Sequence, residues 1–338
     1  MNRYIQDPEL IQEIYVSGIK TQILRIAIRL DIFSILSAEP MDVTNIARIC
    51  GCDLDGMEKL LDCLSSYHLL EKNGKYYTLS LTSMTFLVRS KKSYAGDWIL
   101  AQTNPDIFEQ VYRSVRSGKP FRPLFPWDQL AWLESYNPKR IIESNAMWEA
   151  ARIDPALLNR MRVLDLACGS SIMSFVIAQK APNVRIICVD TPKVLEVAKD
   201  LAVRMGVLDQ VSFMSGDLHQ LDLGTNKYEI ALLGNATNFF TVKQNMSLFQ
   251  RINRSLTNEG SLIINVTMDT GEMNPHVRLY SFVLWTMSGT RFYDFHDYQD
   301  WLLESGFYEV KQLNKQWISA KKIKQMIETR QQDETTDL

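Results

Sequence analysis

The period of apolar and polar residues changes twice along the chain. Residues 16–36, VSGIKTQILRIAIRLDIFSIL, space Ile19, Ile23, Ile26 and Leu30 at three- and four-residue steps, which predicts a helix with one buried stripe. Residues 41–80, MDVTNIARICGCDLDGMEKLLDCLSSYHLLEKNGKYYTLS, then predict a short capped helix, a turn at Gly51, a second helix and a hairpin at Asn73-Gly74. Helix, turn, helix and hairpin make a winged-helix pattern. Between about 91 and 158, Pro105, Pro120, Pro123, Pro126 and Pro138 occur with many aromatics, among them Trp98, Trp127, Trp132 and Trp148, which predicts short helices and loops. From Arg162 the pattern becomes RVLDLA, RIICVD, VSFMSGD, YEIALLG and GSLIINVTM, with helical stretches such as PKVLEVAKDLAVRMG and NMSLFQRINRSLTNEG between them. Runs apolar on both faces are strands covered by helices, so the expected fold class is α/β with a doubly wound sheet. The expected division is a winged-helix-like domain over 1–90, a helical linker contributing to the substrate pocket over 91–158, a catalytic domain over 159–320 and a flexible tail over 321–338.

Composition narrows the function. With 338 residues and 46% hydrophobic content, the chain can fill about two domain cores. Lys and Arg number 37 against 39 Asp and Glu, a net charge of -2 that gives no global attraction to nucleic acid or an anionic membrane. The helix that would read bases, DLDGMEKLLDCL, carries Asp53, Asp55, Glu58 and Asp62 against Lys59 alone, so phosphates would repel it. A structural or dimerising role is expected there, with no nucleic-acid partner. The start MNRYIQDPELIQEIYV lacks a signal-peptide core and the chain has no charge-free apolar run of ~18 residues, so a cytoplasmic location without a membrane partner is expected. Cys50, Cys52, Cys63, Cys168 and Cys188 lack zinc-ribbon or disulfide spacing and are expected to be reduced thiols. None of His68, His219, His276 and His296 pairs at i, i+4, and no metal is expected.

Candidate chemistry lies in residues 162–198, RVLDLACGSSIMSFVIAQKAPNVRIICVDTPKVLEVA, which run strand, glycine-containing turn, helix, strand and acid. Doubly wound sheets bind ligands at the carboxyl ends of their strands. Ala167, Gly169 and Ser171 let backbone approach a ligand closely, while Asp165 and the following helix N-terminus offer polar contacts. Ala and Ser stand where a dinucleotide turn would carry two glycines. Asp190 ends the next strand and is placed to accept two ribose hydroxyl hydrogen bonds; Asp217, after VSFMSG, is placed to hold an adenine amino group. Together the acids point to an adenosine-bearing cofactor.

VLDLACG, VDTPKVLEVA, SGDL and GTRFYDFHDYQDWLLESGF, behind the winged-helix start, resemble the S-adenosylmethionine (SAM)-dependent methyltransferases of the plant-type and bacterial small-molecule O-methyltransferase family, over about residues 15 to 318. The resemblance implies a homodimer held by the N-terminal domain, a Rossmann-like seven-stranded catalytic domain, SAM as cofactor and a small-molecule acceptor. It places Asp190 on the ribose, Asp217 and Leu218 beside adenine, and Ala167 and Gly169 on the methionine side. Further cofactor contacts are implied at Asp165, Thr191, Gly216, Gly234 and Asn235. The acceptor pocket is drawn from SNAMWEAA and NPHVRLYSFVLWTMSG, with Met147, Trp148, Phe239, Phe282, Trp285 and Met287 as apolar lining and Arg278 as a cation for a carboxylate. The same apolar residues also fit a core stripe.

The family usually carries a base, His, after the strand equivalent to YEIALLG. Here GNATNFFTVKQN puts Asn238 at that place and Thr241 near the usual acid. Asn cannot accept a proton at neutral pH. Asn238 is therefore expected to orient the acceptor or serve the loop, and methyl transfer to rest on proximity to an already nucleophilic O, C, S or N atom of an aromatic or conjugated molecule. The rival reading is a SAM-binding relative that has lost methyl transfer and catalyses a rearrangement, elimination or hydroxylation.

Overall fold

Local signals set the helix ends first. Asp42 and Asp53 each accept a backbone N–H three residues on, starting α3 (Val43–Cys50) and α4 (Leu54–Ser66), and Gly51 ends α3 with a φ of 63°. The computed structural model describes residues 8–121, 127–153, 158, 160–271 and 274–323. Contacts group the chain into two units, Met1–Tyr136 and Asn137–Leu338.

In the first unit, α1 (Pro8–Arg29) and α2 (Ile32–Ile35) precede the winged-helix pair α3 and α4. Strands β1 (Met41–Asp42), β2 (Leu70–Asn73) and β3 (Tyr76–Leu79) form a small antiparallel sheet in the order β1-β3-β2, with Asn73 opposite Tyr76 across the expected hairpin. Ile28, Phe33, Ile46, Leu61, Leu64 and Tyr77 fill its core. Helices α5 (Leu81–Phe86), α6 (Gly96–Gln102), α7 (Pro105–Ser117) and α8 (Trp127–Ser135) follow. The outward face of α1 leaves Leu10, Ile11, Ile14 and Tyr15 exposed.

The second unit starts with α9 (Pro138–Ala150), then alternates β4 (Arg162–Leu166), α10 (Ile172–Ala178), β5 (Arg185–Asp190), α11 (Pro192–Met205), β6 (Val211–Ser215), β7 (Tyr228–Gly234), α12 (Val242–Ser255) and β8 (Leu256–Asn265). It ends with α13 (Pro275–Ser288), α14 (Phe295–Glu304), β9 (Phe307–Gln312) and β10 (Trp317–Lys322). Seven strands lie in the order β6-β5-β4-β7-β8-β10-β9, and β10 runs antiparallel to both its neighbours. This is the expected doubly wound, Rossmann-like sheet. The chain leaves β4 in one direction and returns to β7 on its other side, so the switch point lies between β4 and β7.

Period-two alternation divides the core. On β7, Ile230 and Leu232 join Met147, Phe175 and Leu201 from α9, α10 and α11, whereas Ala231 and Leu233 join Phe249, Ile252 and Leu302 from α12 and α14. The helix expected through NMSLFQRINRSLTNEG stops at Ser255, because Leu256 already pairs with Tyr228 ahead of a register shift. β10 extends to Lys322, inside the segment expected as tail; residues 324–338 lie outside the described ones. Among the described residues no helix is long and apolar enough to cross a membrane.

Phe249 is fully buried between α12 and the sheet. Phe249→Ala should destabilise the second unit by about 3–5 kcal/mol, measured by denaturant unfolding followed by tryptophan fluorescence.

Candidate functional site

The carboxyl ends of β4 and β5 lie side by side, with Asp165 opposite Cys188 and Leu166 opposite Val189. The turn that follows β4 bends through left-handed backbone at Ala167, Gly169 and Ser171, with φ of 49°, 56° and 58°. Only one of these is glycine, so the path must be held by bonds. The Cys168 N–H donates to the Val189 carbonyl at 3.2 Å, the Ser171 N–H to the Cys168 carbonyl at 2.7 Å, and the Gly169 N–H to Asp190 Oδ2 at 3.0 Å. Asp190 Oδ1 accepts the Thr191 N–H at 2.7 Å. Each carboxylate oxygen thus carries one backbone bond and keeps a second lone pair, enough for the two hydroxyls of a ribose. Burial pushes the Asp190 carboxyl above its ordinary range, against the pull of the Gly169 and Thr191 N–H groups.

Asp165 sits beneath this turn and is 1% exposed. Its Oδ2 accepts the Ser171 hydroxyl at 2.5 Å and the Ser174 hydroxyl at 2.7 Å. Burial raises its pKa to about 7 despite those two bonds. The Gly216 N–H donates to the Asp190 carbonyl at 3.1 Å, which brings the β6 end to the same place; a Cβ on Gly216 would come within 2.7 Å of Leu221. Asp217 is exposed, and its Oδ1 accepts the His219 N–H at 2.9 Å. Arg251 of α12 donates to the carbonyls of Leu218 and Leu221 and so fixes this loop. Arg251 was not legible as a site residue, since its partners are backbone. Gly234 ends β7 where a Cβ would meet Met173 at 2.7 Å, and Asn235 donates its N–H to the Asn265 carbonyl at 2.8 Å. The cofactor residues expected from sequence therefore gather at the carboxyl ends of β4, β5, β6 and β7, with Asp165 below the turn. Close backbone, a ribose-ready carboxylate and an exposed acid fit an adenosine-bearing ligand.

Beyond β7 a short 3₁₀ turn, Thr237–Phe239, carries Asn238, which is 2% exposed. The Asn238 Nδ2 donates to the Thr267 carbonyl at 3.3 Å, and its Oδ1 accepts the Tyr298 hydroxyl at 3.3 Å. The Thr290 hydroxyl donates to the Asn238 carbonyl at 2.5 Å, and Thr237 Oγ1 lies 2.9 Å from the Tyr298 oxygen. Burial pushes the Tyr298 phenol up, so it stays protonated at neutral pH. Thr241 caps α12 in a capping box with Gln244. The cluster holding Asn238 is thus neutral throughout.

Residues 14–89 match the O-methyltransferase dimerisation domain, and residues 163–260 match a methyltransferase domain that spans the β4 turn, Asp190, Asp217 and Asn238. The chain belongs to the SAM-dependent methyltransferases. It is 23% identical over 335 residues to TcmO, a tetracenomycin polyketide synthesis 8-O-methyl transferase of Streptomyces glaucescens, covering 91% of this chain and 94% of that one. Acetylserotonin O-methyltransferase of Bos taurus is 24% identical, over 88% of this chain and 92% of its own. Human N-acetylserotonin methyltransferase, solved with SAM, shares the fold with a TM-score of 0.64 at 18% identity, over 96% of this chain and 100% of that one.

The acceptor residues expected for this methyltransferase fall into two groups. Met147 and Trp148 on α9 are buried against α10 in the core, where the Trp148 Nε1 donates to the Met173 carbonyl at 2.9 Å. Phe282 and Trp285 lie on α13 with ring centroids 6.5 Å apart, Phe282 exposed and Trp285 half-buried; Phe239 and Met287 are half-buried. Arg278 already has a carboxylate partner: its two terminal nitrogens reach Asp269 at 3.2 Å each. The Gly271 N–H and then Arg278 hold the Asp269 carboxyl below its ordinary range. An open depression of about 410 Å³ at this edge of the sheet is lined by Met268, Asp269, Thr270, Phe295, His296 and Gln312. The His276 side chain lies outside what is described.

Two outcomes follow from the β4–β5 geometry. Asp190→Ala should weaken S-adenosylhomocysteine (SAH) binding about tenfold or more, since charge-assisted hydrogen bonds contribute roughly 1.5–3 kcal/mol each; calorimetry with an unchanged dissociation constant would remove Asp190 from the site. Asp165 has a raised folded-state pKa, so its contribution to stability is fully present below the unfolded value and is lost as pH rises through about 7. The cofactor-free protein should accordingly melt lower at roughly pH 8 than at pH 6, and Asp165→Asn should flatten that slope.

Proposed function

We propose that this methyltransferase acts on a small aromatic or conjugated acceptor whose reacting atom is already nucleophilic. The observation that carries the reading is the neutral cluster around Asn238: an amide, two threonine hydroxyls and a protonated phenol accept no proton from a substrate at pH 7. When bound, SAM supplies a methyl group on a sulfonium, and displacement at that carbon needs alignment above all. A base is dispensable where the acceptor atom is a low-pKa phenolate or enol, a carboxylate, a thiolate, an amine or an activated ring carbon. Asp190 holds the ribose, Asp217 and Leu218 border adenine, and the turn at Ala167 and Gly169 receives the methionine side. Asn238 fixes the loop beside the acceptor through Thr267 and Tyr298, and Phe282, Trp285 and Met287 on α13 give the acceptor an apolar wall. The acceptor class is supported by relatives named for a polyketide and for acetylserotonin.

The protein works as a homodimer. Supporting this, residues 14–89 match a dimerisation domain and α1 exposes Leu10, Ile11, Ile14 and Tyr15 in one apolar patch. Light scattering at low micromolar concentration should give the mass of two chains, and a stable monomer would contradict it.

Asn238→Ala should lower the rate by about tenfold at most, the loss of one orienting hydrogen bond, whereas removal of a general base costs about 10²–10⁴-fold. At saturating SAM the rate of labelled methyl transfer should follow the acceptor's own ionisation, with no histidine-linked step near pH 6.5. A step there that vanishes on replacement of His296 would sink the base-free reading, and the absence of labelled product with every acceptor of this class would favour loss of methyl transfer.

A further inference from the structure

Ser171 joins the β4 turn to α10 with left-handed backbone, φ 58° and ψ 18°, a conformation that favours glycine. Its side chain has a task that glycine could not perform. The hydroxyl donates to Asp165 Oδ2 at 2.5 Å and lies 3.1 Å from Cys188 Sγ, and Ser174, one turn into the helix, donates to the same carboxylate oxygen at 2.7 Å. Both serines are buried, and so is Asp165, whose other oxygen has no hydrogen-bond partner among the described residues. Two hydroxyls therefore set the orientation of a carboxylate beneath the turn.

We propose that Ser171 and Ser174 are positioning residues for methyl transfer, fixing the Asp165 carboxylate under the β4 turn so that its charge favours the cationic groups of the cofactor. The inference rests on the reading that seats the methionine side of SAM on that turn. Among the described residues the other titratable groups packed around Asp165 are Cys188 and Asp190 on β5 and Cys168 in the turn, while β7 places Leu232 opposite it. Burial opposes the charged form of Asp165, and the two hydroxyls favour it. SAH, which keeps the cofactor's ammonium group, should bind more tightly as pH rises through the ionisation of Asp165. Loss of either hydroxyl should move that rise to higher pH.

The test is calorimetric titration of the full chain with SAH from pH 6 to 8.5, for wild type, Ser171→Gly, Ser174→Ala and Asp190→Ala. Glycine accepts the left-handed backbone and alanine suits a helix, so both serine variants should keep the wild-type melting temperature within a few degrees. At pH 7 each should bind SAH about fivefold more weakly, with the inflection displaced upward by about one pH unit and the curves converging at high pH. A merely structural role would lower the whole curve without displacing it. Curves parallel to wild type, or a wild-type curve with no inflection, would overturn the proposal. Asp190→Ala separates the two readings: if it binds SAH normally the cofactor site itself is misplaced, whereas weakened binding there beside undisplaced serine curves defeats only the role given to the serines.

Discussion

A turn with three left-handed residues in five, only one of them glycine, is held by bonds; the Cys168 N–H to the Val189 carbonyl and the Gly169 N–H to Asp190 close it across the gap between two strands. The second of these couples the two features a nucleoside ligand requires. It keeps the backbone low enough for close approach, and it orients the carboxylate that would meet the ribose. Register makes it possible, since pairing of Leu166 with Val189 brings the two strand ends level. A one-residue slip would turn the Asp190 side chain to the other face of the sheet. The site therefore depends on the buried packing of β4 between β5 and β7 as much as on its own residues.

Much of the fold was legible because its signals are local. Caps at Asp42 and Asp53, the turn at Gly51 and the Asn73-Gly74 hairpin depend on residues within four positions of one another. Strands β4, β5, β7 and β8 announced themselves as apolar runs because they lie inside the sheet and under helices; β6 did so through Val211, Phe213 and Met214 although it is an edge strand with no buried residue. Strands β9 and β10 did not: FYEVKQ lies at the sheet edge with charged side chains exposed, and WISAKK mixes buried and open positions. Asp190 was legible from its place at a strand end. The bonds from Ser171 and Ser174 to Asp165 were not, since they depend on the path of a turn whose residues are mostly not glycine.

Long-range pairing explains the remaining differences. A helical apolar stripe tells which side is buried and not what buries it, so Met147 and Trp148 were equally suited to a pocket and to the core against α10, where they lie. Arg278 reads as a free cation until the loop after β8 brings Asp269 to it. Arg251 sits in a helix whose pattern is amphipathic, and it binds carbonyls of a loop 30 and 33 residues away. Asn238 was recognised by position, but its lock on Thr267 and Tyr298 joins three segments that sequence spacing does not connect.

The reversed strand β10 has a consequence for synthesis. Among the described residues β9 finds its sheet partner in β10 and β8 finds its outer one there, so neither edge can be completed until residues 317–322 are available. On a ribosome, the ligand-bearing ends of β4, β5 and β7 can assemble while β8 still presents an unpaired, strongly apolar edge. Until β10 arrives, that edge is a template on which another chain could pair, and a place where a chaperone would have reason to wait.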